Sequence, residues 1–155
     1  MNPAVIGAVA DVITALVAIG TACFVLLQVR EIRRASHASA FKAVYDILQT
    51  DSMREEREFV IVELAKKTFA DWTSGDKKRA ERVCQSYDSV GIMCKHQFSS
   101  VAAIADSWGD SLRKCWKILS PLVAQYRVER NSAEFWDDFE WLAKEAEKFK
   151  KRIYD

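Results

Sequence analysis

Residues 76–96 read DKKRAERVCQSYDSVGIMCKH, and this stretch decides the fold class of the chain. Its apolar and small residues recur at intervals of three or four positions: Ala80, Val83, Cys84, Tyr87, Val90, Gly91 and Cys94. That spacing places them on one face of an α-helix. We therefore predict a helix over 76–96 that buries this face in a core.

The same period continues on both sides of this stretch. Further helices are predicted over 28–49, from Asp51 or Ser52 to Lys67, over 101–119, and from a cap at Asn131 or Ser132 onward. Pro121 either bends the fourth helix or begins a new one, because proline lacks the amide donor for the preceding turn. Five glycines and two prolines are too few for the turns of a sheet. The chain is therefore predicted to be all-α, with a four- or five-helix antiparallel bundle.

Charge is distributed unevenly along the chain. Residues 1–29 contain one charged residue, Asp11, so residues 30–155 hold all 23 basic residues and every other acidic residue. A nearly neutral mixture of both signs is typical of solvated helical surfaces and disfavours nucleic-acid binding without excluding it, since a balanced total can include a basic face; no nucleic-acid partner is predicted. The charged run at 54–58, REERE, is likewise interpreted as a solvated helix face.

The N-terminal segment 4–29 reads AVIGAVADVITALVAIGTACFVLLQV. As a helix it is about 39 Å long, enough for a hydrocarbon core of about 30 Å. A signal peptide is the first alternative, but no basic residue precedes the apolar run; a buried core helix is the second, and its length argues against it. Arg30, Arg33 and Arg34 follow at once. We therefore predict a transmembrane anchor over 1–29 and a cytoplasmic bundle over 30–155, in the cell inner membrane with the N-terminus outside.

Small residues in the segment follow the spacing of a left-handed coiled-coil seam: Ala4, Ala8, Asp11, Ala15, Ala18 and Ala22. Small side chains let helix backbones approach closely in lipid, so this seam is predicted to be an oligomer interface. The alternative is that alanine is simply common in spans. Asp11 lies either at the outer interface, because residues 12–29 alone cover about 27 Å, or against a partner inside the bilayer.

Asp88 lies beside the apolar stripe of the predicted third helix and is the best candidate for a buried acid. Arg113 and Arg127, with Arg130 as a further possibility, are its predicted ion-pair partners on the following helices. A structural ion pair is favoured over catalysis, because buried pairs fix the register of packed helices without performing chemistry. The tryptophans of the C-terminal half are predicted to lie in the core and at its rim: Trp108, Trp116, Trp136 and Trp141.

The sequence contains no glycine-rich phosphate loop, no paired histidines at helical spacing and no nucleophile elbow. Cys94 and His96 are two positions apart and do not face each other on a helix, so they do not form a pair of catalytic nucleophile and base. The cysteines also lack the paired spacing of a zinc site and are predicted to stay reduced. No catalytic residue, cofactor or metal is therefore predicted.

Four stretches carry a resemblance to a known family. They are LQVR at 27–30, YDSVG at 87–91, Trp116 ahead of Pro121 and Arg127, and FEWLA at 139–143. In these the chain resembles an uncharacterised bacterial single-span membrane family, domain of unknown function 4760. The resemblance implies an N-terminal span joined to a small helical domain, and it implies no activity.

Two functions fit these patterns. The first is a membrane-tethered helical interaction module that self-associates or binds a membrane-protein partner at the cytoplasmic face, with membrane lipid around its anchor. The alternative is a small membrane-active effector, phage- or toxin-like, that acts through oligomerised spans. Asp11 on the small-residue seam motivates the alternative, because an acid inside a bilayer usually marks a function or a partner.

Overall fold

The computed structural model describes the backbone of residues 3–154 and the side chains of residues 16–32 and 34–150. Every regular element in this part of the chain is helical, which confirms the predicted fold class. Five α-helices with bundle-like packing follow one another: α1 Pro3–Leu48, α2 Asp51–Val62, α3 Ser74–Lys95, α4 Val101–Glu129 and α5 Asp137–Tyr154. Two short 3-10 turns, Leu64–Lys66 and Phe69–Asp71, connect α2 to α3.

The chain divides into two units, residues 1–38 and residues 39–155. Helix α1 makes up the described part of the first unit and supplies the first helical turns of the second. Among the described residues, no helix has a stretch both long enough and apolar enough to cross a membrane.

The predicted span over 1–29 and its oligomer interface fall largely outside the described side chains. Ala4, Ala8, Asp11 and Ala15 all lie there, and only Ala18 and Ala22 are described, both of them exposed.

The core of the second unit draws on all five helices. The predicted apolar stripe of α3 is buried along its whole length, from Ala80 to Cys94, which confirms the helix period read from the sequence. The largest fully buried side chains are Tyr87, Phe139, Leu48, Leu64, Ile104, Leu112, Leu119, Leu122 and Leu142. Trp108 and Trp136 are buried, whereas Trp116 and Trp141 are half-buried at the rim, as predicted.

The starts of α2 and α3 are fixed by threonine caps. The Thr50 hydroxyl accepts a hydrogen bond from the Met53 amide at 3.3 Å, so Thr50 caps α2 in place of the predicted Asp51 or Ser52. Thr73 and Asp76 form a reciprocal capping box at the start of α3, with bonds of 3.1 and 3.0 Å. Each cap satisfies amides that have no partner inside the first helical turn.

The end of α4 and the start of α5 differ from the prediction. Helix α4 runs continuously through Pro121 to Glu129. Asn131 then adopts a left-handed conformation with φ 48°, which asparagine tolerates and which commonly ends a helix. The prediction that Asn131 or Ser132 caps the last helix is wrong, because Asn131 follows α4 and α5 begins only at Asp137.

The charged run 54–58 is not uniformly solvated, which corrects the sequence interpretation. Glu56 and Arg57 are each only 7% exposed. Glu56 accepts hydrogen bonds from Arg79 at 2.5 Å and from Arg82, so that α2 is tied to α3. Burial raises the pKa of Glu56, but the two guanidinium groups outweigh burial and leave its pKa below the ordinary value of 4.5.

Replacing Glu56 with alanine is expected to destabilise the bundle by about 1–3 kcal/mol, because it leaves charged donors without their acceptor. Glu55→Ala on the exposed face of the same helix is the control. The lowered pKa means that the Glu56 contribution is present above pH 4.5 and is lost as the pH falls through the folded-state value. Thermal unfolding across this range measures both effects, and equal stability of the two variants at neutral pH would contradict the assignment.

Candidate functional site

The stretches 87–91 and 139–143 lie against each other where α3 meets the first turn of α5. The Asp88 carboxylate accepts a hydrogen bond from the Phe139 amide at 3.2 Å. Because α5 begins at Asp137, its N-cap position is Trp136, whose side chain has no acceptor for the first-turn amides. Asp88 therefore caps α5 from a neighbouring helix.

Gly91 allows this close approach. A Cβ atom at position 91 would lie 2.4 Å from the Asp138 carbonyl oxygen and 2.7 Å from its carbonyl carbon. Both are backbone atoms at the start of α5, which cannot move without shifting the helix. Only glycine fits between α3 and α5 at this point.

An aromatic cluster closes the same junction. The rings of Tyr87 and Phe139 stack with centroids 5.2 Å apart, and Trp116 from α4 meets Phe139 edge-on at 5.1 Å. The Tyr87 hydroxyl shares a 2.9 Å hydrogen bond with Ser111. Burial raises the pKa of Tyr87 far above its ordinary value, so the phenol stays neutral. The cluster joins α3, α4 and α5 by packing.

Three carboxylates gather at the start of α5. Oxygen atoms of Asp88, Asp137 and Asp138 lie within 4.8 Å of one another, which makes them the one group among the described residues with the spacing of a metal site. Lys95 places its ammonium 2.5 Å from Asp138 and 3.3 Å from Asp137. The positive end of the helix dipole also favours acids at this position. Lys95 therefore offsets part of the negative charge of this cluster.

Burial raises the pKa of Asp88, the Phe139 amide opposes the rise, and the neighbouring Asp137 and Asp138 charges reinforce it. The carboxyl group consequently takes up a proton more readily than an exposed aspartate. Its geometry, with one oxygen committed to a backbone amide, suits a capping role. Oxygen ligands of this type would also suit a hard divalent cation, and the Lys95 ammonium pairs with two of the three carboxylates.

The predicted ion-pair residues have other partners in the structure. Arg113 lies 3.5 Å from Glu147, and Arg127 lies 2.8 Å from Glu140. Asp88 instead accepts from the Phe139 amide. Both arginines hold α4 to α5, so the structure gives them a role in packing these two helices.

The cysteines of the bundle are free thiols in apolar surroundings. Cys84 and Cys115 are fully buried and Cys94 is 4% exposed. Burial raises the pKa of Cys94 to about 11 and that of Cys115 to about 12. These thiols are protonated at neutral pH and make poor nucleophiles. Cys23, on α1, is exposed.

Comparison with known proteins identifies a family for this chain. A family model described as "Domain of unknown function (DUF4760)" matches residues 5–146. The chain belongs to this family. The DUF4760 match covers the junction of α3 with α5 and nearly all of the preceding chain. Searches of curated proteins and of solved structures each found no match.

Replacing Gly91 with alanine is expected to destabilise the DUF4760 bundle by about 1–3 kcal/mol, because the added methyl overlaps the backbone of α5. Gly75→Ala is the matched control, since its nearest contact is the Thr73 side chain at 3.6 Å. Thermal unfolding followed by circular dichroism measures the difference. An unchanged Gly91→Ala variant would show that α3 and α5 are not in close contact.

Proposed function

We propose that this chain is a membrane-tethered helical interaction module, with α1 as the tether and the bundle as the interacting part. The supporting observation is a set of exposed apolar side chains on α1. Their exposed fractions run from 40% at Val29 to 65% at Leu26. The set comprises Leu16, Val17, Ile19, Phe24, Val25, Leu26, Leu27 and Val29.

The exposed apolar side chains surround the helix. Phe24, Val25, Leu26 and Leu27 are consecutive, and each residue turns the helix by about 100°, so they point in four directions. A surface helix of a globular protein has one apolar face and one polar face. A helix that is apolar all round requires cover from a protein core or from lipid.

The sequence favours lipid as that cover. Residues 12–29 contain no charged residue, and in a helix they span about 27 Å, close to the thickness of a hydrocarbon core. Arg30, Arg33 and Arg34 follow directly. Basic residues on one side only place that side in the cytoplasm, so the bundle is proposed to lie there.

Self-association is the proposed use of the small residues on α1. Ala18 and Ala22 are exposed on the helix and belong to the seam that begins at Ala4. Helices in lipid associate through such small residues, because these allow close backbone packing. The interaction partner is therefore proposed to be a second copy or another membrane subunit.

The tether is tested with the full-length chain in a bacterial expression host. The wild type is expected to stay with the membranes through an alkaline carbonate wash. Ile19→Arg is expected to lower that fraction, because a mid-span arginine costs about 2.5–3.5 kcal/mol on insertion scales. Ile92→Arg is the matched control, since Ile92 is an exposed apolar residue of α3.

Three outcomes contradict the proposal, two of them directed at the tether and one at the interaction role. Recovery of the wild type in the soluble fraction without detergent, as a monomer or as an oligomer, rules out the lipid tether. Equal membrane-bound fractions of the Ile19→Arg and Ile92→Arg variants also contradict the lipid tether. Cross-linking in the membrane is expected to capture a second copy or a partner, and a monomer at every concentration contradicts the interaction role.

A further inference from the structure

A groove with a volume of about 520 Å³ runs between the α2–α3 connection and α4. Most of its lining residues are apolar. The two 3-10 turns together with the end of α2 form one side, and the middle of α4 forms the other. The apolar residues that shape it are Ile61, Leu64, Phe69, Trp72, Ile118 and Pro121. Phe69 meets Trp72 edge-on with ring centroids 5.0 Å apart, so the two rings pack together on the first side.

Every charged residue that lines this groove is a lysine: Lys67, Lys114 and Lys117. Lys67 is held 2.8 Å from Asp76, whose side chain is 9% exposed. Lys114 lies 2.7 Å from Asp110 in an exposed pair of the kind that contributes little and exchanges readily. No carboxylate among the described side chains lies within ion-pair distance of Lys117.

A second groove of about 450 Å³ shares Lys114 and Lys117 with the first. It adds Arg113, Lys144 and Lys150, against the acids Asp110 and Glu147. The two shared lysines thus stand at a boundary, with an apolar groove on one side and a surface of net positive charge on the other.

We propose that the apolar groove binds the single chain of an anionic amphiphile, whose charged head lies between Lys114 and Lys117. The volume falls within the range of roughly 300–1,000 Å³ found for small-molecule sites. A groove lined by apolar residues and lysines complements a molecule with a long apolar tail and one anionic end. This inference concerns the bundle alone and does not rest on the membrane tether.

The proposal is tested by photolabelling the full-length chain, in nanodiscs of zwitterionic lipid if the chain partitions into membranes and in detergent-free buffer if it does not. The reagent is a long-chain fatty acid that carries a diazirine in its tail, and the labelled peptides are mapped by mass spectrometry. Labels are expected in residues 61–72 and 114–121. Lengthening the tail is expected to raise affinity by roughly two- to fourfold per methylene until the groove is filled.

Two variants separate the parts of the site. Ala65→Trp fills the groove from an exposed lining position and is expected to lower labelling there about tenfold. Lys114→Glu combined with Lys117→Glu is expected to lower it to a similar degree by repelling the head. Lys148→Glu, an exposed lysine of α5 outside both grooves, is the control and is expected to label as the wild type does. Circular dichroism verifies that each variant is folded.

Competition between the photolabel and unlabelled amphiphiles identifies the chemistry of the anionic head group. Displacement at lower concentration by the unlabelled fatty acid indicates a carboxylate, whereas displacement at lower concentration by a single-chain phosphate ester indicates a phosphate. A fatty alcohol of the same length is expected to compete at least tenfold less well. Equal competition by the alcohol, labelling confined to residues 16–29, or undiminished groove labelling in Ala65→Trp would each overturn the proposal.

Discussion

The first turn of α5 rests on α3 at a point where no side chain fits, and the bundle is organised around that contact. Gly91 leaves the space for the Asp138 carbonyl, and Asp88 supplies the acceptor that the Phe139 amide lacks within its own helix. Once these backbones meet, the Phe139 ring stacks on Tyr87 and Trp116 closes over it. The three C-terminal helices therefore share one junction.

Much of this architecture follows from helical periodicity. The stripe from Ala80 to Cys94 was predictable because its residues have one period and one buried face. Asp88 was recognisable as a partly buried acid from its place beside that stripe. Its partner was not, since a backbone amide 51 residues away leaves no trace in side-chain identity. Gly91 carried a signal, because glycine inside a helix is unfavourable unless close packing requires it.

The predictions that were wrong also failed because contacts between helices outweighed local sequence signals. Asn131 has the chemistry of a helix cap, but it ends α4 by adopting a left-handed conformation. Trp136, which has no capping group, precedes α5 instead, because the acceptor comes from α3. Glu56 and Arg57 are charged yet lie on the inward face of α2, since they fall on the helical repeat that buries Val60. Composition alone cannot reveal that arginines on the next helix compensate a buried carboxylate.

Partly or fully buried charged side chains form ion pairs between the helices of the bundle. Arg113 and Arg127 join α4 to α5, and Glu56 joins α2 to α3. Two exposed features of the described part of the chain bear on its proposed contacts. One is the apolar circumference of α1, and the other is the lysine-edged groove beside α4. Both favour contact with amphiphilic or apolar molecules, so the proposed tether and the proposed ligand site draw on related chemistry at separate places.

The capping of α5 by Asp88 is tested most directly by hydrogen exchange at the Phe139 amide. In the wild type this amide is expected to be protected nearly as well as the centre of α4. Asp88→Ala is expected to reduce its protection while α4 stays protected, whereas Asp88→Asn, which keeps an acceptor oxygen, preserves it. Equal protection of Phe139 in the alanine variant and the wild type would contradict the account.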